Sequence, residues 1–183
     1  FLPSEKIADF PYNQVDLEVW DMIPSLKKVE PADGVTTVDA MPQVQFVDSD
    51  KAGWYRITLD GECKVEAADE DGAFYAKVPL DNLKRNAGGN QLPNLVIEDW
   101  PDFGYRGFML DISRNFTTKD NILKFIDLLA HYKASVFHLH FGDDEGWRLE
   151  IEKFPELTSF GAYHAFPSKD ENGEYVETEG LIP

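Results

Sequence analysis

A predicted strand–helix–strand unit between residues 107 and 141 constrains the fold of this chain more than any other feature. Two apolar runs of strand length, at 107–112 and 134–141, flank a helical segment. Thr118 is a suitable N-cap, and apolar residues then recur at helical spacing as far as Lys133: Ile122, Phe125, Ile126 and Leu129. The unit predicts a right-handed crossover between parallel strands, covered on both faces as in an α/β barrel or a doubly wound sheet.

Polar residues follow both predicted strands, at the ends where folds of this class carry their active sites. The end of the first strand carries Asp111 and leads to Arg114, and the second opens through Gly142 into three consecutive acids at 143–145. Adjacent carboxylates repel one another and gain nothing by packing. The acidic loop is therefore predicted to be functional.

The chain before residue 100 has the pattern of a small α+β layer, a sheet with one helix packed on it. Residues 53–59 alternate between apolar and polar, and Asp60 and Gly61 predict a hairpin to a second strand at 63–67. Asp33 and Gly34 predict a further turn before a strand at 35–38, and residues 95–97 form a last short apolar run.

The helix of this layer is predicted over residues 73–85, with Phe74, Val78 and Leu83 toward the sheet. Pro79 is expected to kink or shorten it. A boundary rich in proline, glycine and aromatic residues follows at 99–105. We therefore expect a lead-in at 1–22, a small α+β domain at 23–100 and the start of a second domain at 101–183.

The charge and the cysteine content exclude several classes of function. A net charge of −17 argues against nucleic acid and anionic membranes, whose phosphates would be repelled. Cys63 is the single cysteine, which excludes an internal disulfide and a thiolate zinc cluster and predicts a small core residue. No apolar run approaches the roughly 20 residues that span a bilayer.

Two long motifs resemble glycoside hydrolase family 20, the β-N-acetylhexosaminidases, which include chitobiases and lacto-N-biosidases. Residues 105–116, YRGFMLDISRNF, resemble the opening of its catalytic barrel; residues 138–148, HLHFGDDEGWR, followed by FPELT at 154–158, resemble its second strand and loop. The first hundred residues are similar, more weakly, to the family's small α+β domain. The resemblance implies an α+β domain followed by the first βα units of a (β/α)8 TIM barrel, with about two strands present.

The same resemblance implies a reaction. The family removes terminal β-linked N-acetylglucosamine or N-acetylgalactosamine with retention, using the substrate's acetamido oxygen as nucleophile, without a metal or cofactor. An Asp-Glu pair on the fourth barrel strand performs the chemistry, so that pair is expected beyond residue 183. The chain alone is therefore expected to be inactive, with an N-acetylhexosamine-containing glycan and the remainder of the same enzyme as partners. A periplasmic or extracellular bacterial location follows from the resemblance alone.

Two residues carry over from the family motifs. Arg106 matches the arginine that grips the ring hydroxyls of the sugar, a task that suits the fixed fork of a guanidinium; the alternative is a structural ion pair at a domain junction. Asp143 matches an acid that supports the catalytic machinery through hydrogen bonds, and its alternative is a cap on a turn.

Second-tier candidates surround these two: Asp111, Arg114, His140, Asp144, Glu145 and Trp147. Asp111 and Arg114 are predicted to pair and shape the rim of the site. Trp147 is predicted to pack a short extension with Leu149 and Ile151, although its flat face also suits a pyranose ring.

Two other functions compete with this hypothesis. His138 and His140 are predicted to be hydrogen-bonded core residues, but with Asp143 they also resemble the metal-binding HxH of barrel-shaped hydrolases. That motif usually lies on the first strand, whereas here it lies on the second. A sugar-binding domain without catalysis is the third hypothesis.

Overall fold

The structure, a computed structural model, describes residues 17–144, 146–163, 168–169 and 171–176. The chain forms two compact units, Phe1–Pro101 and Asp102–Pro183, here called the first and the second unit. Among the described residues, no helix combines the length and the apolar character needed to cross a membrane.

The first unit is a five-stranded sheet with two helices. Its elements are β1 (Lys28–Thr37), β2 (Val44–Phe46), β3 (Tyr55–Leu59), β4 (Cys63–Ala67), α1 (Glu70–Tyr75), α2 (Lys77–Ala87) and β5 (Gln91–Asp99). The strand order is β1-β5-β3-β4-β2, antiparallel except for the parallel pair of β2 and β4. The three inner strands β5, β3 and β4 therefore have a partner strand on both sides.

The alternation at residues 53–59 and the hairpin across Asp60 and Gly61 are both confirmed. β3 and β4 are paired from Leu59, which lies opposite Cys63, to Tyr55, which lies opposite Ala67. Gly61 in the turn has the positive φ of 77° that a tight hairpin needs. The side chains of Tyr55, Ile57 and Leu59 are buried, as the period of two requires. They join residues of the other strands and of both helices in one core.

The single helix predicted over residues 73–85 is wrong, because the structure has two helices that meet at Ala76. α1 begins earlier than predicted because the Asp69 side chain caps it, accepting a hydrogen bond from the Gly72 N–H at 2.8 Å. Pro79 lies in the first turn of α2, where its missing N–H costs nothing. A continuous helix would drive its ring into the carbonyl of Tyr75.

Two of the three side chains predicted to face the sheet are buried. Val78 and Leu83 lie in the interior, as predicted, but Phe74 is 43% exposed, contrary to the prediction. Because α1 and α2 are separate helices that meet at Ala76, a single helical period does not run through both. Cys63 is half-buried against the core, and burial raises the pKa of its thiol.

Two strand predictions also need correction. The Asp33–Gly34 pair is not a turn between strands but a bulge inside β1, where the pairing with β5 shifts between Pro31 and Val35. Gly34 has a φ of 105° there, which suits a bulge. The apolar run at 95–97 is the centre of β5, a strand of nine residues rather than a short one.

The strand–helix–strand unit predicted for the second unit is confirmed. β6 (Gly107–Asp111) and β7 (Val136–His140) are parallel, in a register that runs from Gly107 opposite Val136 to Asp111 opposite His140. Between them lies α3 (Lys119–His131), whose N-cap Thr118 accepts from the Asn121 N–H at 3.3 Å. α3 ends two residues before Lys133, which has a φ of 56°.

Three short elements follow: α4 (Glu156–Ser159), β8 (Ser168–Lys169) and β9 (Tyr175–Val176). The short extension predicted around Trp147, Leu149 and Ile151 is absent, since these residues lie in irregular backbone. Their alternation is not matched by a partner strand in the described part of the unit.

The prediction that β6 and β7 are covered on both faces is wrong for the described residues. Phe108 and Met109 on β6 are 44% and 50% exposed, Val136 on β7 is 36% exposed, and α3 has no buried residue. A two-stranded sheet with one helix has too few elements to cover both faces of its strands.

Candidate active site

The carboxyl ends of β6 and β7 bring together four of the predicted site residues. Asp111 is the last residue of β6 and His140 the last of β7, and the register places them opposite each other. Arg114 and Asp143 lie three residues further along their respective loops. The parallel pairing is therefore what assembles the cluster from two segments almost 30 residues apart.

Asp111 organises the loop after β6. Its Oδ1 accepts from the backbone N–H groups of Ser113 at 2.9 Å and Arg114 at 3.0 Å, and its Oδ2 accepts from Arg114 Nε at 2.6 Å. These bonds, the Arg114 backbone N–H first, hold the pKa of Asp111 below its usual value. The predicted pair of Asp111 and Arg114 is thus present, with both partners charged at neutral pH.

Arg114 also connects this loop to the loop after β7. Its Nη2 lies 3.4 Å from Asp143 Oδ2, and His140 Nε2 lies 3.1 Å from the same oxygen. The Asp144 backbone N–H donates to Asp143 Oδ1 at 2.9 Å. The Asp144 N–H, with His140 and Arg114, holds the pKa of Asp143 below its usual value.

The cluster therefore presents two ionised carboxylates, bridged by one guanidinium and partly open to solvent. Ionised carboxylates accept hydrogen bonds only, so the site suits a ligand or a neighbouring side chain that donates N–H or O–H groups. Asp144 is exposed, and Glu145 lies outside the described residues.

The structure does not bring Arg106 to this cluster. Arg106 directly precedes β6, so it lies at the other end of the strand, about 16 Å along the backbone from Asp111. Its Nε donates to the Lys133 carbonyl at 2.8 Å and its Nη1 to the Phe103 carbonyl at 2.5 Å. Backbone carbonyls therefore fix the orientation of its guanidinium.

The structure contradicts the role predicted for His138 and supports the packing role predicted for Trp147. His138 is exposed, so its prediction as a core residue is wrong; it lies on a face of β7 that nothing in the described unit covers. Trp147 is half-buried, its ring lies against Gly142, and its Nε1 donates to the Leu149 carbonyl at 2.5 Å. A Cβ at Gly142 would approach that ring to 2.7 Å, so packing is the role the geometry supports.

Sequence reasoning missed three residues that join the two loops: Ser113, Gly146 and Arg148. The Ser113 side chain is fully buried, and the Arg148 guanidinium donates to the Ile112 and Ser113 carbonyls in the loop after β6 and to the Ala162 carbonyl. Arg148 is the last residue of the motif at 138–148, but its position in the sequence does not show that its side chain binds three backbone carbonyls from separate segments.

Beside these residues the second unit has an open, mainly apolar groove of about 540 Å³. Its apolar lining includes Ile112, Phe116, Leu139, Phe141, Trp147 and Tyr163. In the described part of the chain, the charged cluster included, no three His, Cys, Asp or Glu side chains lie close enough to hold a metal ion together.

Both units match one family of glycoside hydrolases. Residues 27–100 match domain 2 of glycosyl hydrolase family 20, and residues 103–180 match its catalytic domain. The chain is 44% identical over 123 residues to an N,N'-diacetylchitobiase of Vibrio harveyi, and 43% identical over 113 residues to a β-hexosaminidase of Vibrio furnissii. These alignments cover 67% and 61% of this chain but only 14% and 18% of the relatives.

Solved structures agree with these matches. The family 20 exo-β-N-acetylglucosaminidase of Vibrio harveyi, in complex with N-acetylglucosamine, superposes with a TM-score of 0.68 at 28% identity. The superposition covers 80% of this chain and 29% of that enzyme. The chain belongs to glycoside hydrolase family 20, and it carries the family's domain 2 followed by part of the catalytic domain.

Proposed function

We propose that this chain is part of a β-N-acetylhexosaminidase that removes terminal β-linked N-acetylglucosamine or N-acetylgalactosamine from glycans. The observation that carries the proposal is the Asp111–Arg114–Asp143–His140 cluster, which lies within the two family motifs at the carboxyl ends of β6 and β7. The relatives named chitobiase and β-hexosaminidase support the same class of substrate.

β6 and β7 are, in this proposal, the first two strands of a (β/α)8 barrel. The exposed apolar faces of these strands and of α3 support it, because later barrel strands and helices would cover them. The groove of about 540 Å³ between α3 and β7 is a further surface for such an element. The catalytic Asp-Glu pair then lies in the remainder of the enzyme.

The reaction is substrate-assisted and retaining. The acetamido oxygen of the substrate bonds to the anomeric carbon as the glycosidic C–O bond breaks, and the acid of the catalytic pair protonates the leaving oxygen. Asp143, kept ionised by the Asp144 N–H, His140 and Arg114, accepts a hydrogen bond from that machinery and so orients it. Asp111 and Arg114 shape the rim.

On the family motif alone, Arg106 is proposed to hold the ring hydroxyls of the terminal sugar. Its position at the other end of β6 from the cluster supports the alternative, a structural connection between backbone segments. The carbonyls of Phe103 and Lys133 hold the guanidinium in one orientation, so its geometry is prepared before the substrate arrives. An ammonium group lacks the planar fork and cannot reproduce that arrangement.

The activity itself is tested with an aryl N-acetyl-β-glucosaminide. We expect the longer protein that contains this chain to release the chromophore and the 183-residue chain alone to release none. Turnover by the isolated chain would contradict the placement of the catalytic pair outside it. Activity that is lost to a chelator and restored by zinc would favour the metal-dependent hydrolase with His138 and His140, and sugar binding without turnover would favour the non-catalytic domain.

The role of Arg106 is tested by Arg106→Lys in the longer protein. Hydrogen bonds to charged donors contribute about 1.5–3 kcal/mol, so kcat/KM should fall by roughly one to two orders of magnitude with little change in melting temperature. If Arg106 only connects backbone segments, the melting temperature falls and the kinetics per folded molecule stay the same.

A further inference from the structure

The two loops that carry the candidate site are joined by the side chain of Arg148. Its Nε donates to the Ile112 carbonyl at 2.8 Å and its Nη2 to the Ser113 carbonyl at 2.9 Å, both in the loop after β6. Its Nη1 donates to the Ala162 carbonyl at 2.5 Å. One planar guanidinium therefore holds backbone from two separate segments, a geometry that needs several fixed donors.

The backbone of Arg148 belongs to the other loop. Its N–H donates to the carbonyl of Phe141, the first residue after β7, at 2.8 Å. Phe141 and Arg148 thus close the loop that contains Asp143. The side chain of Arg148 therefore contacts the loop after β6, while its backbone N–H pairs with the residue that follows β7.

Ser113 and Gly146 make a second connection between the same loops. The buried Ser113 hydroxyl donates to the Gly146 carbonyl at 2.8 Å. Gly146 has a φ of 64°, and a Cβ at this position would lie 2.0 Å from the Ser113 carbonyl oxygen. Only glycine permits this approach, because any side chain would push the loops apart.

These connections lie beside the charged cluster in sequence and in space. Ile112 and Ser113 separate Asp111 from Arg114, while Phe141 and Gly146 enclose Asp143. Arg114 spans the loops with contacts of 2.5 Å to Asp111 Oδ2 and 3.4 Å to Asp143 Oδ2. Contacts of this kind require the two loops to keep a fixed separation, and a shift of about 1 Å is enough to impair a catalytic arrangement.

We propose that Arg148, together with Ser113 and Gly146, is a positioning residue that holds Asp143 in register with the Asp111–Arg114 pair. The inference rests on the proposed function for its catalytic consequence, but the joining of the two loops does not depend on it. None of the hydrogen bonds described for Arg148 goes to Asp143, so it acts on this carboxylate through the backbone of both loops.

The test uses the longer protein that contains this chain, as wild type and as Arg148→Lys. Lysine keeps the charge but not the fork, so it cannot hold the Ile112, Ser113 and Ala162 carbonyls together. We expect hydrogen–deuterium exchange to accelerate in peptides covering 112–116 and 141–148, and kcat on the aryl N-acetyl-β-glucosaminide to fall at least tenfold. KM should change less than threefold, because Arg106 lies at the other end of β6.

Ser113→Ala is the second variant, in case Arg148→Lys does not fold. It removes one hydroxyl and should produce the same two changes at smaller size, with kcat lowered about threefold to tenfold. Lys153→Ala is the matched control, since Lys153 is an exposed cation of the same unit, five residues from Arg148. It should change neither exchange nor kinetics.

Different failures identify different errors. Unchanged exchange in both variants overturns the joining of the loops, whether or not the protein is active. Faster exchange with unchanged kcat per folded molecule overturns the positioning role and leaves a structural one. A wild type without turnover overturns the proposed function, and with it the catalytic part of this inference, while the exchange data still decide whether Arg148 joins the loops.

Discussion

The first and the second unit use equally apolar strands, but they bury them to very different extents. In the first unit, Ile57, Leu95 and Leu83 come from two strands and a helix and are fully buried in a common core. In the second unit, among the described residues, Ile112 is the buried hydrophobic side chain, and Leu128 on α3 is 47% exposed.

The difference teaches that the number of covering elements, and not hydrophobicity, decides which strands are buried. Five strands and two helices can enclose one face of a sheet, whereas a parallel pair with one helix cannot enclose both faces. Exposed apolar surface of this extent is typical of an interaction site. We infer that the remainder of the catalytic domain covers it.

The largest expected effect is in amide exchange of the 183-residue chain. Amides of β3 and β5 should exchange only on global unfolding of the first unit, whereas those of β6 and β7 should open locally. We expect exchange at least about 100-fold slower in β3 and β5, measured by hydrogen–deuterium exchange with mass spectrometry. Equal protection in the two units would break the comparison.

A pair of leucine substitutions sharpens the comparison between the two units. Leu83→Ala removes a fully buried side chain and should lower the free energy of unfolding by about 2–5 kcal/mol in urea denaturation of the first unit. Leu128→Ala, on the exposed face of α3, should change the stability of the 183-residue chain by about 0.5 kcal/mol or less. A large loss in the second variant would show that α3 is already packed.

Close packing in the first unit is tested with glycines. A Cβ at Gly72 would lie 2.2 Å from the Trp54 carbonyl oxygen, so Gly72→Ala should destabilise by about 1–3 kcal/mol. Gly89 has no atom within 4 Å of the same position, and Gly89→Ala is the control. Equal melting temperatures for the two variants would mean that α1 moves away from the Trp54 backbone at little cost.

The smallest effect concerns Glu98, on the open face of the first unit's sheet. The Trp54 indole N–H donates to it at 3.1 Å, and with Arg56 and Lys28 lowers its pKa from 4.5 to about 2. Because the folded pKa is the lower one, the stabilisation is present above pH 4.5 and is lost as the pH falls toward 2.

Urea denaturation of wild type and Glu98→Gln at pH 6 and at pH 2.5 measures this loss. The advantage of wild type should shrink at the lower pH. Glu62→Gln, which removes an exposed pair with Lys64, should show no such dependence. A constant difference for Glu98→Gln would assign the effect to packing.

Several features were predictable from the sequence because they depend on local periodicity. The β3–β4 hairpin follows from alternation and from the glycine at its turn, and α3 follows from its cap Thr118 and its apolar spacing. The boundaries of α1 and α2 were not predictable in this way. The Asp69 cap and the Pro79 ring act on backbone three and four residues away, and neither effect changes the spacing of the apolar residues between 73 and 85.

The sequence by itself determined the strand–helix–strand unit, the acids at the strand ends and the family motifs, since these are properties of neighbouring residues. Only the tertiary structure decided that Arg114 spans Asp111 and Asp143, that Arg106 lies at the opposite end of β6, and that Arg148 joins the two loops. The parallel register of β6 and β7 is the physical reason, because it places side by side residues almost 30 positions apart. Hydrogen bonds between such residues leave no period in the sequence.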